Sequence, residues 1–149
     1  MHKKAKKNTQ GNKMNKEIKN TMSLQLQLTG TYITFCYTKK AYKKFCKKRF
    51  NILSEYQYLG VSTEFLNHNN INYEIVIGVD ENKDVYGLKS TVVHELSHAT
   101  SQWMEYYGFN CDELRSYTLQ YLYQNIMPFL DELLLKDYDV SIEKKTKEV

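Results

Sequence analysis

Five consecutive residues, His94-Glu95-Leu96-Ser97-His98, hold the side chains best placed for chemistry in this chain. On a helix, residues four apart share a face at a separation of about 6 Å. The two imidazoles can therefore aim at one ion. Glu95 leaves the helix about a quarter-turn from His94 and reaches a water on that ion instead of the ion itself. Zinc lowers the pKa of a bound water towards neutrality, and an adjacent carboxylate can take its proton as the water attacks a carbonyl. The spacing predicts Zn²⁺ held by His94 and His98, with Glu95 as the catalytic carboxylate. The bland alternative is two histidines on a solvated helix face.

Catalytic zinc usually takes three protein ligands and keeps one position open. No third histidine follows at short spacing, and His2 and His68 lie upstream. A carboxylate on the next helix is then needed, from Asp112 or Glu113, and Glu113 is favoured because its face continues through Ser116, Tyr117, Gln120 and Gln124. A structural role competes, since Asn110-Cys111-Asp112-Glu113 has capping-box spacing. The chain must also turn tightly. Unless the first helix ends soon after Trp103, or the two helices cross steeply, Tyr117 and not Glu113 lies opposite His98. Tyr117 is a candidate oxyanion donor, weighed against a core or interface role as one of thirteen tyrosines.

The run Val92-Val93-His94-Glu95-Leu96-Ser97-His98-Ala99, followed by Asp112-Glu113-Leu114-Arg115-Ser116-Tyr117 and Gln120, resembles small phage and prophage proteins regarded as zinc peptidases. These pair HExxH with a later E-x-x-A-Y. The resemblance implies a gluzincin-like peptidase site with Glu113 as third ligand, and covers most of residues 30–130. Ser116 stands where alanine is usual, a small change that keeps close helix packing. A more distant likeness is to peptidase domains that cleave phage-type repressors.

The elements that must position these residues are legible in the period of the apolar positions. Leu24, Leu26 and Leu28 alternate with polar residues, Thr29-Gly30 punctuates, and 32–37 is β-rich. Thr38 can cap a helix whose apolar face is Tyr42, Phe45, Cys46 and Phe50. Strands are expected over 59–66 and 73–79, paired as a hairpin about Asn69-Asn70, with the second offering a free edge to an extended peptide. From Leu88, the positions Val92, Leu96, Ala99, Trp103 and Tyr107 trace one helical stripe that ends at Gly108. Asn110 then suits the cap of a last helix reaching about Leu135, kinked or broken near Asn125 by Pro128. Trp103 and Met104 read as core, and His68 as an exposed turn residue. The expected fold is α+β: a small mixed or antiparallel sheet with the HExxH helix and a following C-terminal helix, a minimal zincin.

Composition divides the chain into a basic arm over 1–20, the domain over 21–136 and a frayed charged tail over 137–149. Seven lysines lie in 1–20 against Glu17 alone, and Lys39 to Arg49 holds seven basic residues and no acid. The remainder carries seven basic and sixteen acidic residues, so a net +4 conceals an acidic domain. Nothing approaches the roughly 18 apolar residues of a membrane span, and no secretory segment is evident. Cys36, Cys46 and Cys111 lack paired spacing, which suggests free thiols and a cytoplasmic location. The expected partner is a peptide or protein substrate. Nucleic acid is a secondary reading of the lysine segments, which lack interleaved aromatics and suit a solvated face and a solubilising tail.

Overall fold

The computed structural model describes residues 18–67 and 72–147. Strands β1 (Thr21–Leu26) and β2 (Thr31–Tyr37) form an antiparallel pair and are followed by helix α1 (Lys39–Phe50). Strands β3 (Gly60–Asn67) and β4 (Asn72–Val79) form the expected hairpin; helices α2 (Val85–Tyr107) and α3 (Asp112–Lys147) complete the chain. The sheet order is β1-β2-β4-β3. It is mixed, because β2 and β4 run parallel, in register from Tyr32↔Glu74 to Tyr37↔Val79.

Strand alternation sends successive side chains to opposite faces. On one face Ile33, Phe35, Ile75, Ile77 and Val79 meet Leu88, Val92, Leu96, Ala99 and Trp103 of α2 and Leu122, Ile126 and Leu130 of α3. On the other, Cys36, Val76 and Phe65 meet Ala41, Tyr42, Phe45 and Cys46 of α1, with Ile18 in the same cluster. The sheet thus carries α2 and α3 on one side and α1 on the other.

The helix ends follow their signals closely. The Thr38 hydroxyl accepts from the Ala41 N–H at 3.2 Å. The Asp84 carboxylate accepts from the Tyr86 N–H, and Gly108 ends α2 in the left-handed region at φ 71°. Trp103 and Met104 are buried as expected.

Four expectations are corrected. The strand over 73–79 is interior, flanked by β2 and β3, so it offers no free edge; the edges are β1 and β3. Helix α3 continues past Pro128 without a break, and Leu122, Ile126, Met127 and Leu130 are buried on both sides of it. The segment expected to fray after Asp137 continues as helix to Lys147, exposed throughout. The start of α3 also falls later than expected. Its first bond, Arg115 N–H to Cys111 C=O, makes Cys111 the cap and takes Asn110 and Glu113 out of capping-box register. The arm over 1–17 and the turn at His68 lie outside the described residues, and Ile18, expected within the arm, is buried.

Candidate functional site

Helix α2 lies along β3, and its phase determines what meets that strand. Thr91 and Glu95 sit against Gly60, while Gln102 meets Ser62. His98 belongs to the same row and His94 borders it on the solvent side, since these positions recur at three- and four-residue steps. Both histidines are exposed, and Glu95 is buried with 7% of its surface accessible.

The two imidazoles already converge. His94 Nε2 and His98 Nε2 are 3.0 Å apart, with the rings nearly perpendicular at 81°. Two nitrogens on one tetrahedral zinc, each at about 2.0–2.1 Å, stand about 3.3 Å apart. The pair therefore needs to open by only a few tenths of an ångström. One ring's Nε2–H now donates a hydrogen bond to the other ring's Nε2. An ion in the same place would take both Nε2 lone pairs, so the donor ring would carry its proton on Nδ1 instead.

Glu95 is held by shape. A Cβ built on Gly60 would stand 2.9 Å from Glu95 Cγ and from Thr91 Cγ2, and 3.0 Å from Glu95 Oε1. Glycine is what lets β3 approach the carboxylate this closely. Among the described residues no donor bonds the carboxylate. Burial raises its pKa above the usual glutamate value, and the nearby His94 and His98 oppose that rise.

The third position is less complete. Among the described residues, no group of three or more His, Cys, Asp or Glu side chains stands where an ion could be held. Arg115 Nη1 donates to Ser101 Oγ of α2 at 2.6 Å. Residues two apart on a helix diverge by about 200°, so with Arg115 turned to α2, Glu113 leaves the opposite side. Glu113 is exposed, one turn before Tyr117. Tyr117 lines a cleft of about 340 Å³ with Leu28, Trp103, Leu114 and Tyr121, next to the end of β1. Helix α2 continues to Tyr107, beyond the early end that would set Glu113 opposite His98.

Reading of the sequence missed Gly60, Thr91, Ser62 and Gln102. A glycine opening a β run marks close approach of another element, and Gly60 could have been found on that signal. Ser62 Oγ donates to Gln102 Oε1 at 2.6 Å, and Gln102 Nε2 donates to the Ser62 carbonyl at 2.9 Å. The bond from Asp80 N–H to Leu59 C=O sets the alternation of the hairpin, so the main-chain groups of Gly60, Ser62 and Glu64 face away from β4. Gln102 therefore occupies one outward carbonyl of the edge strand, and the Gly60 peptide stays open beside Glu95.

The chain matches no protein-family model, no curated protein and no solved structure. Among the described residues no helix is long and apolar enough to cross a membrane.

Proposed function

We propose that the protein is a zinc-dependent peptidase in which His94 and His98 hold the metal and Glu95 is the base. The observation that supports this reading is the 3.0 Å approach of the two Nε2 atoms beside a buried, unpaired carboxylate. The donor set fits zinc in two of three protein positions. Glu113 is the proposed third ligand, and it would join the pair only if the first turn of α3 rotated from the orientation described above.

A bound Zn²⁺ would supply Lewis acidity to the scissile carbonyl. Glu95 takes the proton of the attacking water and returns it to the leaving amine; its raised proton affinity suits both transfers. Gly60 keeps the carboxylate in place and presents an open main-chain edge where an extended substrate can pair. Tyr117, proposed as an oxyanion donor, faces the β1 cleft and would need the same movement of α3 as Glu113. A second reading follows from the lack of a third ligand beside the pair among the described residues: an accessory protein that binds metal at the histidine pair and does not turn over.

The test is metal analysis combined with hydrolysis of a peptide library. Purified protein should carry about one zinc, lost in His98→Ala. Glu95→Gln should keep the metal and lose hydrolysis by a factor of about 10² or more. Zinc below about half an equivalent, unchanged by His98→Ala, would remove the site. A metal-loaded wild type with no hydrolysis would favour the second reading.

A further inference from the structure

We propose that Gln102 is a specificity-determining residue that stops substrate pairing along β3, so that the site cuts extended peptides close to one end. That role rests on the peptidase reading of His94, Glu95 and His98, and it names the class of substrate that their site takes.

The free edge of β3 offers its bonds at every second residue. Gly60, Ser62 and Glu64 turn their main-chain groups away from β4, and an added strand would meet them in that order. Neighbouring outward residues stand about 7 Å apart, at 3.3–3.4 Å per residue. Gly60 lies against Glu95, so a scissile carbonyl brought to Glu95 belongs to a chain that pairs at Gly60.

The next place along the edge is already filled. Gln102 Nε2 donates to the Ser62 carbonyl at 2.9 Å, the length of an ordinary strand bond. Gln102 Oε1 accepts from Ser62 Oγ at 2.6 Å, which fixes the amide there. The side-chain amide thus takes the bond that the N–H of a substrate residue would make. Gln102 also follows His98 by one turn of α2, about 6 Å along the axis. Extended chain covers that distance in about two residues. A substrate therefore has room for about two residues in register between the hydrolytic centre and Gln102.

Beyond the stop the edge opens again. Glu64 is exposed, its carboxylate accepts from the Tyr73 hydroxyl, and its main-chain groups face outward. Gln102 therefore covers the middle of three positions that one peptide would otherwise bond in sequence. A chain that runs past Ser62 must displace both bonds of Gln102 or leave the plane of the sheet. A chain that ends before Ser62 loses nothing. The penalty falls on binding, so it raises KM for interior bonds and leaves kcat. Its size is about 10-fold, the worth of one or two main-chain hydrogen bonds.

The experiment uses the zinc-loaded full chain and a mixed library of end-blocked peptides of about twelve residues, long enough to overrun β3. Fragments are read by mass spectrometry, and the fold of each variant is checked by circular dichroism. Wild type should release pieces of about two residues from one end. Gln102→Ala should cut interior bonds as well, with kcat/KM there raised about 10-fold through KM. Ser62→Ala spares the bond to the carbonyl and should keep the wild-type pattern. A second readout needs no turnover. In metal-free protein with the library in excess, amide hydrogen exchange should slow at Gly60 in wild type, and at Gly60, Ser62 and Glu64 in Gln102→Ala. Interior cleavage by wild type in the same proportions as by Gln102→Ala would overturn the stop. So would slowed exchange at all three residues in both proteins, or a Gln102→Ala variant that loses hydrolysis equally at every bond. Absence of hydrolysis in every zinc-loaded protein would instead remove the peptidase reading, and the role of Gln102 with it.

Discussion

Gly60→Ala isolates the contact on which the position of Glu95 depends. The new methyl would stand 2.9 Å from Glu95 Cγ and Thr91 Cγ2, where carbon atoms ordinarily keep about 3.5 Å or more. Gly60 has no left-handed φ, so the penalty is steric and not conformational. Relieving an overlap of about 0.6 Å requires β3 to lift or both side chains to shift, at about 1–3 kcal/mol. For a chain of this size that lowers Tm by about 2–4 °C per kcal/mol. A carboxylate displaced by several tenths of an ångström should also lower peptide hydrolysis, by about 10- to 100-fold. Zinc content should hold, since neither histidine is touched. The assay is urea unfolding of Gly60→Ala in the wild type and in a Thr91→Ser, Glu95→Ala background, where the obstructing Cγ atoms are gone. There the cost should fall below about 0.5 kcal/mol, the rest being coupling. An equal cost in both backgrounds, or a cost under about 0.3 kcal/mol with unchanged hydrolysis, would refute the packing argument.

Because burial raises the Glu95 pKa, the folded state prefers the protonated form. Its stabilising contribution is complete below the ordinary glutamate range and is lost as pH rises through the raised value. Metal-free Glu95→Gln should therefore gain stability relative to wild type between about pH 4 and pH 8 in urea titrations; a pH-independent difference would contradict this. Arg49→Met should cost about 3–5 kcal/mol by leaving Glu74, 3% exposed, without its cation, and Glu74→Gln should recover most of the loss. Thr29→Val removes the acceptor of the Trp103 indole N–H, 2.8 Å away, and should lower unfolding free energy by about 1–3 kcal/mol. Ending the chain after Lys136 should change stability by less than about 0.5 kcal/mol while helical circular dichroism falls, because that part of α3 is exposed throughout.

Local patterns carried much of this protein. The strand alternations, the caps at Thr38 and Gly108 and the stripe from Leu88 to Trp103 depend on neighbours within one or two turns, and the structure keeps them. The placing of His94 and His98 on one face is equally local, since residues four apart on a helix are neighbours. What lies beyond a turn was decided by packing. Helix α3 continues whole through Pro128, with Ile126, Met127 and Leu130 buried on both sides of it. Placement of β4 between β2 and β3 removed the edge expected there and moved it to β3, where Gly60 meets Glu95. Arg115 of α3 bonds Ser101 of α2, and among the described residues no third His, Cys, Asp or Glu side chain joins the histidine pair. Spacing alone could not foresee that, because which face of α3 meets α2 depends on the angle at which the helices pack. The charge of the α1 lysines was plain in the sequence, but only burial of Ala41, Tyr42, Phe45 and Cys46 against the sheet showed which side of that helix they occupy.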